Sequence, residues 1–547
     1  MSVEAARQPT PADPTDTTGR SRSVTILAAR FVLGAATALT LIASIWYRCV
    51  DLGNVPGING DEAWYGVQME SMLASEPFQW LTPTRLPLNP IHVGPLALLL
   101  KAFGPAFWVL RAPALATGLL LLPLAYLLLS KVMDRFTALL ATLLLAAHPA
   151  LIAYARFGWD ASHSPSIGLL ILYFALRGRE FVTFAALMVA LVVHPTNVFL
   201  TPVAVLVLLA VQWVRGDCSP TTGVVRWLLV SRDRWLAFGA AALGVFGVSI
   251  ALLGKPLTPG SVMRFLADFG HLLAGPSIYE YIAGPIGDRV TFTYDVLAWG
   301  LGLSLATVGT RRMARRERWE LLAIGAGVLL GAGAICTIGG PESIRPHFER
   351  YGLFLIVPSV VYLSCCLRTL IPSVRRVTWL PRGSGVLALT LVVCWSSLWG
   401  LQRYYFDVFQ ITGGSSHPTF RTAAIEPKAR ALAIILQDLA SSPVRPPSGA
   451  GRPVPIITDG WWLYWPIRFL ADEHRDLLVT DVSDKDVAER APVIRAALEA
   501  GGYAVGFLGE GLEDMIRSSF DPGELRTWDV ADRVGRPLIR ILRLAPG

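Results

Sequence analysis

The hydrophobic positions of this chain come in long unbroken runs, not in the narrow stripes or alternating patterns of soluble elements. Val24–Tyr47 is the first run. Others occupy 109–130, 136–154, 164–176, 181–193, 196–214, 235–253, 291–309, 320–338, 351–367 and 384–402. An α-helix needs about 20 apolar residues to cross about 30 Å of hydrocarbon, so the pattern predicts about eleven spans. The runs at 164–176 and 181–193 are short and must tilt or borrow flanking residues. Val24–Tyr47 is longer than the roughly 7–15 apolar residues of a signal-peptide core and reads as a retained anchor. Residues 1–22 before it are polar and rich in Pro, Thr and Asp, the composition of a disordered tail.

After residue 402 the pattern changes. Short β-type runs (Val454–Thr458, Leu477–Thr480, Tyr503–Leu508, Leu538–Leu542) alternate with amphipathic helical stretches (Lys428–Leu439, Asp486–Ala500) around a Pro-rich segment at Pro443–Pro455. This predicts a small α/β domain over 403–547, behind a transmembrane domain over 23–402. The fold class is thus an α-helical polytopic membrane protein with a small C-terminal α/β domain.

Composition supports the membrane assignment: 53% of residues are hydrophobic and 16% charged, against about 25% charged in soluble domains. The six cysteines show neither CxxC nor His/Cys metal spacing, so no disulfide framework or zinc site is indicated. The formal charge of +8 is uneven, with net −2 in 403–547 and +10 before it. Nucleic-acid binding would require a clustered basic face with aromatics. Here the excess lies in short loops between spans, which sets orientation.

With the N-terminus cytoplasmic, the inner loops (131–135, 177–180, 215–234, 311–318, 368–383) hold 17 Lys/Arg in 53 residues. The outer segments (47–108, 155–163, 194–195, 254–290, 339–350) hold 9 in 122. Positive charge stays inside. The stretch 92–108 is apolar but interrupted by Lys101 and two Gly-Pro pairs. Counting it as a span would send Arg311–Arg318 outside, so it reads as a membrane-skimming helix within a long first outer loop, 47–108. Eleven spans then place 403–547 outside.

Three polar constellations fall on that outer face. Asp61-Glu62 follows Gly57-Ile58-Asn59-Gly60 and precedes Ala63-Trp64-Tyr65. Asp61 could simply cap the helix that begins near Glu62; facing a dry cleft, its carboxylate could instead act as a general base. Arg156-Phe157-Gly158-Trp159-Asp160 follows the third span, and reads either as an (i, i+4) surface ion pair or as a second acidic site meeting the first. Arg345-Pro346-His347-Phe348-Glu349-Arg350-Tyr351 lies at the outer mouth of the tenth span. It suits either a phosphate, which guanidinium grips bidentately, or headgroup anchoring. Lys255 and Arg264 are further candidates for the phosphate. His92, His148 and His194 sit near Pro-broken helix ends, where helix-end hydrogen bonding is the commoner role. The Trp461-Trp462-Leu463-Tyr464-Trp465 cluster could stack on a sugar or rest on lipid headgroups, and packing between tail and membrane domain is the commoner explanation. No P-loop, HExxH or GxSxG motif is present.

These segments resemble the GT-C-fold glycosyltransferases, in the branch of the dolichyl-phosphate-mannose protein mannosyltransferases and the lipid A aminoarabinose transferase. The resemblance rests on Gly60–Tyr65, Leu110–Leu115, His148-Pro149 through Arg156 and Asp160, His194, and Arg350-Tyr351, and covers roughly residues 24–370. It implies Asp61 as catalytic base and a role for Asp160 in the site. Where the family often has a second carboxylate late in loop one, this chain has Leu88–Pro95 without one, with Asn89 and His92 in its place. An outward-facing site lacks cytoplasmic nucleotide sugars, so the implied donor is a polyprenyl-phosphate-linked sugar in the plasma membrane. The implied acceptor is a hydroxyl on a protein, lipid or glycan, and the implied outcome is inversion at the anomeric carbon. The competing readings are a lipid-sugar flippase, an assembly scaffold, or an oligosaccharide ligase with a pyrophosphate-linked donor. The candidate residues are therefore Asp61, Glu62 and Asp160 for catalysis, and Arg156, His92, Lys255, Arg345, His347, Arg350 and Tyr351 for substrate. No cofactor is assigned, although carboxylates of this kind can also hold a divalent ion.

The topology is directly testable. With the native cysteines replaced by serine, Met313→Cys is expected to react with an impermeant maleimide only from the cytosol and Ser75→Cys only from outside. The reverse pattern would invert every assignment above.

Overall fold

A computed structural model describes residues 16–83, 85, 87–215, 268–273, 275, 278, 315–338, 344, 349–369, 383–412, 425–441, 453–474, 476–509 and 511–545. The first helix, α1, runs Asp16–Cys49 and so begins inside the segment expected to be a disordered tail. Gly60–Leu73 (α2) and Pro90–Phe103 (α3) follow. Next come Phe107–Leu129 (α4), Arg135–Ala147 (α5), Pro149–Ala155 (α6), Ser164–Leu176 (α7), Glu180–Val193 (α8) and Thr201–Arg215 (α9). Arg315–Ile338 (α10), Leu353–Arg368 (α11) and Ser384–Leu401 (α12) complete the helical part, α12 continuing through a π-helical turn, Gln402–Phe406.

Among the described residues, six helices are long and apolar enough to cross a membrane, and the bent α5–α6 pair makes a seventh. The protein is a multi-pass membrane protein. The expected runs at 235–253 and 291–309 lie outside the described residues. The run 136–154 is not one straight helix: it bends by 59° between α5 and α6. Pro149 has no N–H for the carbonyl four residues earlier. Buried Arg48 supplies donors there instead, to Ala146 O at 2.8 Å and Leu145 O at 3.4 Å, tying α1 to the bend. The stretch expected to skim the membrane is α3, a 14-residue apolar helix whose start is capped by Asn89.

Close helix contact depends on glycine. On α10, a Cβ at Gly327 would lie 2.5 Å from Val203 Cα, and one at Gly331 would lie 2.5 Å from Phe199 O. The two glycines are four residues apart and so share one face. Small residues at this spacing let helix backbones approach in a membrane.

The C-terminal part is a five-stranded sheet of order β2-β1-β3-β5-β4. Its strands are Val454–Thr458 (β1), Leu477–Asp481 (β2), Tyr503–Phe507 (β3), Leu525–Ala531 (β4) and Pro537–Leu544 (β5). β1 pairs in parallel with β2 and β3, and β5 runs antiparallel to β3 and β4. Ile425–Ser441 (α13), Trp461–Leu470 (α14), Val487–Glu499 (α15) and Leu512–Ser519 (α16) accompany the sheet. One core joins Ala431 and Ile435 of α13, Leu463 and Ile467 of α14, and Ile456, Val505 and Ile541 of the sheet. The four expected strands are present. β4 was not anticipated, because Arg526, Thr527 and Asp529 break its apolar alternation on an exposed edge.

Gly327→Ala with Gly331→Ala is expected to push α10 away from 199–203 and to lower stability by about 1–3 kcal/mol per site. Thermal unfolding of the detergent-solubilised protein measures this.

Candidate active site

The turn before α2 sets the first acidic residue. Asn59, in extended conformation, caps the helix by accepting from Asp61 N at 2.6 Å. The cap is therefore Asn59 and not Asp61, and the Asp61 side chain is released for other partners. Trp461 Nε1 of α14 donates to Asp61 Oδ1 at 2.9 Å. Asp61 keeps part of its surface open, yet burial raises its proton affinity. Nearby Arg350 opposes the rise, as does the Trp461 hydrogen bond, while the Asp160 and Glu62 charges add to it.

Asp160 opens a single 3-10 turn, Asp160–His163. Its Oδ1 accepts from Ala161 N at 2.7 Å, and it also accepts from the Tyr65 hydroxyl. Burial pushes its carboxyl up to about 7, against these hydrogen bonds and the Arg350 charge. Tyr65 lies one helical turn beyond Asp61 on α2. Its phenol is raised by burial and by the charges of Asp160 and Asp61. Arg350 completes the group. Its guanidinium lies over the rings of Tyr351 (4.7 Å) and Trp159 (5.1 Å), and its Nη2 donates to Tyr351 Oη at 2.9 Å. Asp61, Asp160, Tyr65 and Arg350 thus act on one another from three separate parts of the chain.

Other candidates are oriented differently. Glu62 is 1% exposed and turned away from the cleft. Its Oε1 accepts from Arg111 Nε and from Gly158 N, both at 2.8 Å, and its Oε2 accepts from Arg111 Nη2 at 3.1 Å. Arg111 also donates to Leu52 O (2.6 Å) and Gly57 O (2.9 Å). The pair therefore ties α2, α4, loop one and the turn before Asp160 together. Gly158 must be glycine here, since a Cβ would lie 2.4 Å from Leu110 O.

Arg156 forms no pair with Asp160. It is fully buried and donates to Tyr47 O (2.7 Å), Val55 O (2.7 Å) and Asp51 O (3.2 Å). Its guanidinium meets the carbonyls of loop one, so it braces the loop and does not face a substrate. His92 is equally buried. Its Nδ1 lies 3.1 Å from His163 Nε2, and its ring packs edge-on against Tyr65 at 4.9 Å. Burial, followed by the His163 charge, holds its proton affinity well below the ordinary range, so the imidazole is neutral and cannot replace a carboxylate as an anion. Lys255, Arg345 and His347 lie outside the described residues. Among the described residues no group of three His, Cys, Asp or Glu side chains is placed to hold a metal ion.

Sequence reasoning missed Tyr65, Arg111 and Lys428 as members of the site. The position of Tyr65, four residues after Asp61, was a usable signal. Trp461 belongs to the aromatic cluster expected to pack between tail and membrane domain, but its hydrogen bond to Asp61, 400 residues away, left no signal of its own. Lys428 is 2% exposed, and its Nζ donates to Ile58 O at 3.1 Å.

The helical bundle with its C-terminal sheet is similar to ArnT, the lipid A aminoarabinose transferase of Cupriavidus metallidurans, in its apo state. The TM-score is 0.51 at 16% identity, over 94% of this chain and 98% of that one. The same protein solved with undecaprenyl phosphate bound matches at 0.50 and 16%, over 93% and 97%. The chain has the GT-C fold. An archaeal oligosaccharyltransferase from Archaeoglobus fulgidus gives 0.47 at 13% identity, over 88% of this chain and 69% of that one. Neither a protein-family model nor a curated protein matches the sequence. Within the GT-C fold of this chain, the four interacting side chains lie where loop one, the turn after α6 and the start of α11 meet.

Glu62→Gln keeps the shape of the side chain but leaves Arg111 as an uncompensated buried charge. It is expected to cost about 3–5 kcal/mol, read as a lowered unfolding temperature of the full-length protein in detergent.

Proposed function

We propose that the protein is a membrane glycosyltransferase that transfers a sugar from a polyprenyl-phosphate donor to an acceptor hydroxyl on the extracytoplasmic face. One observation carries the reading: Asp61, with raised proton affinity, lies within electrostatic reach of Asp160 and of the Arg350 guanidinium, in a chain with the GT-C fold. ArnT has been solved with undecaprenyl phosphate, and a donor of that chemistry suits this chain. Its polyprenyl tail stays in the bilayer and its phosphate brings the sugar to the mouth of the spans.

Asp61 takes the proton of the acceptor hydroxyl as that oxygen attacks the anomeric carbon. The new C–O bond forms on one face while the bond from the anomeric carbon to the phosphate oxygen breaks on the other. The lipid phosphate leaves with the bonding electron pair, and the configuration inverts. Arg350 supplies positive charge where the leaving phosphate gathers negative charge. Fixed charge of this kind acts strongly in a site that excludes water. A phosphate is a stable leaving group, so no strong general acid is needed. Asp160 and Tyr65 hold the acceptor side, the phenol bonded to Asp160 and adjoining Asp61. Glu62, Arg111 and Arg156 position these groups. Arg345, His347 and Lys255 remain candidates for further phosphate contacts on sequence grounds, and Tyr351 orients Arg350. The transmembrane domain over 23–402 carries the reaction, with 403–547 above it.

The test uses full-length protein in sealed proteoliposomes with radiolabelled undecaprenyl-phosphate pentose and hexose and cell-envelope material as acceptor, and follows release of undecaprenyl phosphate. Asp61→Asn is expected to reduce release by about 10²–10⁴-fold with expression unchanged. Parental release by that variant would refute the base. Because Asp61 acts deprotonated and its folded proton affinity is raised, activity should fall as the pH drops through a midpoint above the usual carboxylate value of about 4. An acid limb at or below that value would also count against it. Passage of intact donor across the membrane without release of lipid phosphate would instead indicate a flippase.

A further inference from the structure

The turn that carries Asp61 is gripped from the far end of the chain. Two contacts from the C-terminal layer reach residues 58–61. Trp461 Nε1 donates to Asp61 Oδ1 at 2.9 Å, and Lys428 Nζ donates to Ile58 O at 3.1 Å. Gly60 makes the approach feasible, since a Cβ there would lie 2.5 Å from Trp461 Cδ1 and 2.8 Å from Trp461 O. Trp465 meets the Trp64 ring edge-on at 6.4 Å. A Cβ on Gly66 would lie 2.7 Å from the Phe469 ring, so α14 packs along the first half of α2, residues 60–66.

An indole N–H can only donate, so Trp461 fixes Asp61 Oδ1 and leaves Oδ2 as the atom that receives a proton. Burial lowers the proton affinity of the Lys428 amine to about 7, against the nearby Glu62 charge, which raises it; charged or neutral, the buried nitrogen needs the partner it finds in Ile58 O.

We infer that the C-terminal layer is part of the active site, with Trp461 and Lys428 as positioning residues that hold the 58–61 turn and aim the Asp61 carboxylate. This rests on the reading of Asp61 as the base. The charged and titratable groups that act on Asp61 are Tyr65 and, through space, the turned-away Glu62 from α2, Asp160 from its turn, and Arg350 from the start of α11. Lys428 faces the turn from α13.

Carbodiimide labelling of Asp61, quantified by mass spectrometry across pH, reads its protonation without any donor. Labelling and donor turnover are compared in the full-length wild type, Trp461→Phe and Lys428→Met, with thermal unfolding confirming that each variant is folded. Trp461→Phe keeps the ring and removes the N–H. A hydrogen bond to a carboxylate is then lost, so labelling should persist to higher pH by about one unit. The acid limb of lipid-phosphate release should move with it, lowering kcat near neutral pH while KM for undecaprenyl-phosphate hexose stays unchanged. Lys428→Met should lower kcat with the same KM pattern. A labelling midpoint and acid limb that do not move in Trp461→Phe would overturn the inference while leaving Asp61 as the base intact. Parental turnover by Asp61→Asn would remove the underlying reading and this inference with it.

Discussion

The buried pair of Glu62 and Arg111 is the interaction on which the site geometry depends. One carboxylate receives Arg111 and the amide of Gly158, and one guanidinium reaches Glu62 and two carbonyls of loop one. Both side chains are essentially without solvent. Pairs this deep seldom raise net stability, because desolvation cancels much of the attraction. What this one supplies is location. Asp61 is the residue before Glu62, and Asp160 is two residues beyond Gly158. Each of the two cleft carboxylates is thus fixed within two residues of the same buried oxygen atoms.

The same device recurs at two further places where the backbone leaves helical geometry beside the spans. Such backbone has carbonyls with no helical donor and little water to satisfy them. Arg48 serves the bend before Pro149, Arg111 serves Leu52 and Gly57, and Arg156 serves Tyr47, Asp51 and Val55. A guanidinium offers five donors in a rigid fork, so one residue can satisfy a whole turn. This explains why three fully buried arginines occur among the described residues of a chain of this composition. It also shows why an arginine near an acidic residue is a weak signal of substrate binding here.

Much of the helical architecture was legible, because an apolar run of span length has few alternatives once it must cross hydrocarbon. The strands β1, β2, β3 and β5 were legible for the analogous reason of alternation. Asp61 and Asp160 could be placed on one face by counting loops and charges. The direction of a side chain could not be read this way. Glu62 neighbours Asp61 in sequence but points to a different face of α2, because successive helical residues are rotated by about 100°. Arg156 precedes Asp160 by one turn of sequence, yet the segment Arg156-Phe157-Gly158-Trp159 is not helical, so the (i, i+4) pairing never forms. The candidate helix cap, Asp61, lay two residues too late, because Asn59 and Asp61 are both good caps and only the backbone decides between them. The role of α14 needed the tertiary structure, since its contact with Asp61 spans most of the chain.

Arg350 bears most directly on whether a base and a cation can work in one recess. Were its guanidinium seated on Asp61, the ion pair would drive the proton affinity of the carboxylate down and weaken it as a base. It lies instead on the faces of Trp159 and Tyr351, bonded to the Tyr351 hydroxyl. From there its charge reaches Asp61 and Asp160 through space, and burial still leaves both carboxyls with raised proton affinity. In the proposed reaction the two charges have opposite tasks at opposite ends of the breaking bond: one receives a proton and the other meets a departing phosphate. Aromatic faces that hold the cation off the carboxylates, together with an indole that holds Asp61 by one oxygen only, keep those tasks apart within a recess where low dielectric would otherwise collapse them into a single salt bridge.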